Sequence, residues 1–431
     1  MPDKTASTTT PLPSQARSSL WRDRNFLLLW GGDATSDLGS AVSTLLIPLM
    51  AVQNLGATTF QIAMLAAARR LPAIVLSLPA GVWVDRLRKR CLMIWCQILS
   101  ALAMGSVPAV AFFDHVRLWQ LYVVAAVVGS FTVFYGVADR SYLPSVLSRE
   151  QLVDGNAKMN ASETVSDAAG PALGALLAGV ITAAKAVTVD AVSYVVAALT
   201  LMLMRSPDAA PAPDRAVASP VRFSVAMTEG LRLAWRNPVL RAVTCCTATA
   251  NLGISAVVSL EVVYLVRGLH ASGPWIGVVL GLGVLGGFVG SLAAGPLAAR
   301  LGDARVMWVS LLACAPFALL MPLASPGAGL VLYSLGWAVF NAGGAVYQTA
   351  QMAYRQRSVP QELLGRVNAG IRWVVWGTVP LGALLGGTLG TWAGLRTALW
   401  VDAGILACTG LWLLASPLRG WRDIPVEGQP G

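Results

Sequence analysis

Twelve stretches of this chain are too long and too apolar to belong to a water-solvated core. They cover residues 25–54, 58–83, 91–113, 117–139, 160–182, 186–204, 239–266, 273–299, 305–323, 328–353, 367–390 and 396–415. About 20 apolar residues suffice for a helix to cross the hydrocarbon of a bilayer. Each run is therefore predicted to be a transmembrane helix, and the longer ones to tilt or extend past the bilayer. An even number of spans puts both chain ends on one side. Charged residues make up 12% of the chain, about half of the 25% usual in soluble domains, so lipid is the expected solvent.

The cations give the orientation. Of 31 lysines and arginines, 25 lie in the two tails or in and beside the connections between spans 2–3, 4–5, 6–7, 8–9 and 10–11. Four (Arg117, Lys185, Arg267 and Arg396) lie on the opposite side, and Arg69 and Arg70 fall inside a span. Positive loops stay in the cytoplasm, so both termini are expected there. The net charge of +10 is spread over these connections and is not gathered on a polar domain, which argues against nucleic acid as a partner. Six cysteines lie in or at the ends of apolar runs without a C-x-x-C pair. The two histidines, His115 and His270, sit in outer loops without metal-ligand spacing. No metal site, cofactor or catalytic set is expected, and the absence of a Gly-x-x-x-x-Gly-Lys-[Ser/Thr] loop argues against an ATP-driven pump.

The chain repeats itself. Gly81-Val82-Trp83-Val84-Asp85-Arg86-Leu87-Arg88-Lys89-Arg90, read as a basic turn between two spans, returns in weaker form at Gly295 to Arg305, 214 residues on. Glu150 to Ala157 echoes Glu362 to Ala369 and Arg24-Asn25 echoes Arg236-Asn237, both at 212. Gly174-Ala175-Leu176-Leu177 echoes Gly382-Ala383-Leu384-Leu385 at 208. Repeats at one spacing, each at the same place in its half, indicate a duplicated six-helix unit. The expected organisation is a disordered tail over 1–24, a six-helix bundle over 25–204, a linker over 205–238, a second bundle over 239–415 and a tail over 416–431. The linker begins as a Pro- and Asp-rich solvated segment and turns amphipathic near Val221, as a helix lying on the cytoplasmic surface would.

With these residues in view, Gly81-x-x-x-Asp85-Arg86-x-x-Lys89-Arg90 is similar to the loop 2–3 motif of the major facilitator superfamily, with Arg88 where the usual form has a second glycine. Asn25 to Trp30, the Leu71-Pro72 step and Leu143-Pro144 through Asn156-Ala157 resemble its macrolide and enterobactin exporter branch. The resemblance covers about residues 21–415. It implies an all-α membrane protein with twelve transmembrane helices in two pseudo-symmetric six-helix bundles, working by alternating access. The activity implied is proton-driven export of a small amphipathic molecule (drug, antibiotic or siderophore-like) across the bacterial inner membrane by a monomer. Uptake by the same fold, or a sensor or scaffold that does not transport, stays open. The resemblance further implies that Gly81, Asp85, Arg86, Lys89 and Arg90 form a latch with Asp139 at the end of span four. In that latch Asp85 would face the N-terminus of span eleven, where the helix dipole favours negative charge. Gly170-Pro171-Ala172-Leu173-Gly174 resembles the antiporter motif of span five. Small residues there permit close helix packing, and generic packing is an equal alternative.

Ionisable groups inside spans are functional candidates. Asp33 and Asp37, four apart, share a face of the first helix, roughly 12 and 18 Å deep. Arg70 and Arg69, counted back along span two, lie roughly 20 and 21 Å deep. The matching depths predict that Asp37 pairs with Arg69 or Arg70 as a proton-coupling group, with Asp33 on the same pathway. A static ion pair is the alternative. Glu163 and Asp167 open span five, where carboxylates also favour a helix N-terminus. Asp190 and Asp402, near the outer ends of spans six and twelve, receive no role. Phe134, Trp337, Asn341, Gln348, Trp373 and Glu261 are expected to line the substrate cavity, because flat rings and a few hydrogen-bonding groups suit amphipathic cargo. Only about a third of the aromatic candidates are expected to touch it.

Overall fold

The computed structural model describes residues 20–113, 115–148, 151–205 and 220–423. The amino-terminal tail through residue 19, the Pro- and Asp-rich part of the linker and the last eight residues lie outside it.

Among the described residues, twelve helices are long and apolar enough to cross a membrane. In chain order they are α1 (Arg24–Gln53), α2 (Thr59–Arg86), α3 (Lys89–Ala111), α4 (Leu118–Val146), α5 (Leu152–Ile181), α6 (Ala183–Leu203), α7 (Pro238–Gly268), α8 (Gly273–Leu301), α9 (Asp303–Leu323), α10 (Leu330–Ser358), α11 (Gln361–Trp392) and α12 (Leu395–Leu414). Local chemistry starts several of them. Asp23 accepts the N–H groups of Asn25 and Phe26 at 2.9 and 3.2 Å, and Asn237 accepts those of Val239 and Leu240 at 2.9 and 3.2 Å. Thr58 and Gln61 form a reciprocal capping box at the head of α2. Two helices change pitch. α7 ends in a π-helical turn over Tyr264–Gly268, and α9 tightens into a 3-10 helix over Ala315–Leu323, which contains Pro316 and Pro322.

The two halves pack by one pattern. α1 lies against α5 and α6, α2 against α4, and α3 against α4 and α6; α7 lies against α11 and α12, α8 against α10, and α9 against α10 and α12. Glycines set the register. A Cβ at Gly170 or Gly174 would meet Ala41 or Val42 of α1, and one at Gly382 or Gly386 would meet Leu252 or Ala256 of α7. The corresponding glycines are thus 212 apart, and the sequence match at 208 is one helical turn out of register.

Helices extend beyond the apolar runs at one end of the molecule. α2 continues to Arg86, so Gly81 and Asp85 are helical and the turn reduces to Leu87 and Arg88. α4 runs to Val146, α5 starts at Leu152 and α11 starts at Gln361. A helix satisfies its own backbone and need not stop where the hydrocarbon does, so hydropathy marks the span and not the helix. These extended ends, the start of α1, the end of α12 and the linker helix Pro220–Arg236 lie at one face, called here the basic face. The linker helix rests on the start of α11: a Cβ at Gly230 would lie 2.0 Å from the Arg366 carbonyl oxygen, and Glu229 pairs with Arg366 at 2.8 Å.

Candidate substrate cavity and buried charges

The bundles meet along α2 and α11 and along α5 and α8. Glycines let them approach closely at the face opposite the basic one. A Cβ at Gly387 would stand 2.1 Å from that of Ala63, and one at Gly277 would stand 2.7 Å from that of Ala175. Two hydrogen bonds tie the halves there: the Phe60 N–H donates to Thr391 Oγ1 at 3.2 Å, and the Arg267 guanidinium to the Ala57 carbonyl at 2.9 Å. Arg267 sits on the π-helical turn of α7.

Below this closure lies a cavity of about 900 Å³. A second space of about 330 Å³ shares Thr247, Gln348, Val375 and Trp376 with it and reaches Arg355, Gln356 and Asn368 at the basic ends of α10 and α11. The void is therefore closed at the opposite face and continues toward the basic face. Its wall is mostly the second bundle. Thr247, Asn251 and Ser255 present a polar row at one-turn intervals on α7, facing Phe288, Phe340, Trp376 and Val379. The first bundle adds Ala66, Arg70, Thr164 and Asp167, and so brings one cation and one carboxylate.

Of the expected lining residues, Asn341 and Gln348 are on this wall. Asn341 donates to the Trp337 carbonyl at 2.8 Å, and Gln348 accepts from Gln351 at 3.0 Å. The other four lie elsewhere. Trp337 is 8% exposed, stacked on Phe340 and pressed against Gly283 inside the second bundle. Phe134 stacks on Trp83 in the first bundle, with ring centroids 5.8 Å apart. Trp373 is 47% exposed and is absent from both linings. Glu261 is buried between α7 and α10, accepting the Tyr333 hydroxyl at 3.2 Å. The α7 row was visible in the sequence as polar residues four apart and was missed.

The charged residues are redistributed as well. Asp37 makes no ion pair with Arg69 or Arg70 within 4 Å. The helix pairing gives the reason: α1 packs chiefly on α5 and α6, and only slightly on α2. Glu163 and Asp167 of α5 are the charges that Asp37 feels most, while Asp167 feels those of Arg70 and Arg69. Arg69 turns to Thr44 of α1 and donates to its hydroxyl at 3.0 Å. Asp33 is buried and accepts the Tyr135 hydroxyl of α4. Asp139, one turn beyond Tyr135, belongs to the same interior, and the buried Asp33 Oδ2 and Asp139 Oδ1 have no hydrogen-bond partner among the described residues.

The basic connection stitches the first bundle together. Lys89 donates to the Ser141 carbonyl of α4 at 3.0 Å. Arg90 donates to the Leu201 and Met202 carbonyls at the end of α6, both at 2.8 Å. A cation at a helix C-terminus satisfies carbonyls left open there. Arg86 is exposed, and the side chain of Asp85 lies outside the described structure. In α5, Gly170 and Gly174 face α1 within the bundle, while the neighbouring Ala172 and Ala175 meet α8 across the boundary.

Two like bundles closed at one membrane face around a cavity open toward the other define a transporter and not an enzyme. The Major Facilitator Superfamily profile matches residues 29–380 and 243–430. The chain belongs to that superfamily, and it is a multi-pass inner-membrane protein. It is 27% identical over 378 residues to the multidrug efflux pump Tap of Mycolicibacterium fortuitum, covering 86% of this chain and 90% of that protein. It is 22% identical over 391 residues to macrolide efflux protein A of Streptococcus pyogenes, covering 90% and 94%. Among solved structures, the nucleoside transporter NupG superposes with a TM-score of 0.71 at 12% identity, over 92% of this chain and 99% of that one.

Proposed function

We propose that this transporter exports small amphipathic molecules (drugs, antibiotics or siderophore-like metabolites) in exchange for protons, as a monomer with both termini in the cytoplasm. The observation that carries the reading is the cavity: apolar and aromatic walls, a sparse set of amide and hydroxyl groups, and one cation and one carboxylate, Arg70 and Asp167, from the first bundle. Such a wall takes cargo of varied shape and fixes it through few polar contacts. The names of the efflux relatives point the same way. On this reading the basic face is cytoplasmic and the cavity faces inward, ready to load cargo from the cell.

Asp37, with Asp33, carries the proton, and Arg69 and Arg70 tune the site from α2. A carboxylate in a dry interior holds a proton that a nearby cation or incoming cargo can displace. Lys89 and Arg90 hold the first bundle as a rigid body, and Asp85 and Arg86 close the cytoplasmic mouth against α11 when cargo leaves. Residues 205–238 link bundles spanning 25–204 and 239–415. The test is accumulation of a fluorescent amphipathic cation in cells making the protein. Adding a protonophore to loaded cells is expected to raise retention relative to an empty control. Lowered retention marks uptake, and no difference from the control rejects transport of that probe.

A further inference from the structure

Asp190 lies on α6, fully buried at 0% exposure. The α1 backbone makes room for it: a Cβ at Gly39 would fall 2.9 Å from Asp190 Oδ1 and 2.1 Å from Ser193 Oγ. Three serines and a tyrosine dress the carboxylate. Ser193 Oγ donates to the Asp190 carbonyl at 2.7 Å and stands 3.4 Å from Oδ1. Ser40 and Ser43 face it from α1. The Ser40 hydroxyl is hydrogen-bonded to that of Tyr194 at 2.8 Å. Asp190 Oδ2 and Ser43 Oγ are both buried and face each other without reaching hydrogen-bond geometry. Arg69 of α2 is the cation whose charge reaches Asp190 and Tyr194, and Asp37 also acts on Tyr194. α3, which packs on the other side of α6, has no Asp, Glu, Lys, Arg or His between Cys91 and Ala111; its titratable groups are thiols.

The internal repeat supplies a control. Asp402 of α12 stands 212 residues on and is equally buried. Its surroundings have been stripped. Where the first half has Ser40, Arg69, Ser193 and Tyr194, the second has Leu252, Gly281, Ile405 and Leu406. Ser255, in the place of Ser43, donates instead to the Val379 carbonyl at 2.6 Å. Both Asp402 oxygens are without a hydrogen-bond partner among the described residues. Burying a carboxylate costs most when it is ionised and unpartnered, and Asp402 has no neighbour that offsets that cost among the described residues. Asp190 has kept groups that suit a carboxylate: the Ser193, Ser40 and Ser43 hydroxyls around it and the charge of Arg69 from α2.

We infer that Asp190 is a second proton-binding carboxylate, exchanging its proton with Asp37 through the Ser40–Tyr194 hydroxyl pair. Asp37 lies one turn before Ser40 on α1. A proton leaves the Asp37 carboxyl, the two hydroxyls each take one and give one, and a proton arrives on Asp190; only O–H bonds break and form. Arg69, held by Thr44 beside Ser43, stabilises the Asp190 carboxylate when the proton moves back. This rests on the proton coupling proposed above.

The test uses the full purified chain and two readouts. The infrared C=O band of protonated carboxyls needs no substrate. Asp190→Asn is expected to remove a band that titrates with pH, and Asp402→Asn to remove one that does not. In reconstituted vesicles with ethidium as the probe, Asp190→Asn and Tyr194→Phe are expected to cut pH-gradient-driven movement at least about tenfold. Ethidium–ethidium exchange, which needs no net proton, is expected to stay unchanged, and Asp190→Glu to restore part of the coupled rate. Tyr194→Phe keeps the carboxylate, so it tests the bridge even if Asp190→Asn fails to fold. The inference is overturned if every titrating band survives Asp190→Asn. If Asp37→Asn stops gradient-driven movement and Asp190→Asn and Tyr194→Phe do not, proton coupling stands and this inference alone falls. A wild-type protein without any titrating band removes both.

Discussion

The two bundles share one packing pattern and differ in what they enclose. The first keeps Asp33, Asp37, Asp139 and Asp190 among its helices and lends the cavity only four residues, two of them charged. The second encloses Glu261, which accepts a tyrosine hydroxyl, and Asp402, which has no hydrogen-bond partner among the described residues, and it supplies nearly the whole cavity wall. A duplicated fold fixes where helices sit and leaves the side chains free to diverge. On the proposed reading, the divergence separates charge handling from cargo contact. The boundary between the two tasks runs through Arg70 and Asp167, the first-bundle charges that face the cavity.

If that division is right, neutralising an acid should matter according to which bundle holds it. Asp37→Asn is expected to lower proton-driven efflux about a hundredfold, the scale of a lost proton carrier, with normal protein level and intact downhill exchange. Glu261→Gln, an equally conservative change in the second bundle, is expected to leave the coupling ratio untouched. Equal loss of coupling from both would erase the distinction. The closure between the bundles comes next. Gly387→Leu forces a side chain onto Ala63, and overpacking costs about 1–3 kcal/mol, roughly a five- to 150-fold shift in a two-state population. Labelling of a single cysteine near Ala57 should rise as the opposite face opens. On the cargo side, Asn251→Ala and Trp376→Ala are expected to change apparent affinity up to about tenfold, unequally among substrates. Their pH dependence should match the wild type. A changed pH profile would mean that cargo and proton share the second bundle.

The twelve spans were legible because hydrocarbon demands length and apolarity, and the sequence displays both. Their ends were not, since α2, α4, α5 and α11 carry on into water with polar sequence that resembles a loop. The duplication was visible in motif spacing, although its glycine register needed the contacts of Gly170 and Gly382 to fix. Asn341 and Gln348 line the cavity, as expected of a polar side chain on an apolar helix, which has few places to go. Phe134, Trp337 and Trp373 lie outside the lining of the two spaces described, because a ring suits a helix–helix seam, lipid or a cavity equally well. The pairing of Asp37 with Arg69 or Arg70 was drawn from matching depth alone. Depth says nothing about azimuth: Asp33 turns to Tyr135 of α4, Asp37 is nearest in charge to Glu163 and Asp167 of α5, and Arg70 is left to the cavity. Asp190 went unread because its meaning lies in three serines and a tyrosine brought from two helices.

The smallest expected effect concerns the helix that joins the bundles. Pro220–Arg236 touches α11 in two ways: the Glu229–Arg366 ion pair at 2.8 Å, and the approach of Gly230 to the Arg366 backbone. Both partners of the pair are about half exposed, at 50% and 49% of their side chains. An ion pair in water contributes about 0–1 kcal/mol, so Arg366→Ala should leave the melting temperature and the transport rate almost unchanged. Gly230 is different, because nothing larger than hydrogen fits beside a backbone carbonyl, and the backbone cannot swing aside as a long side chain can. Gly230→Leu is expected to lift the helix from α11, seen as faster proteolysis within residues 205–238, while the bundles keep their own melting behaviour. If Arg366→Ala releases the helix and Gly230→Leu does not, charge and not close packing holds the linker, and its docking will weaken as salt is raised.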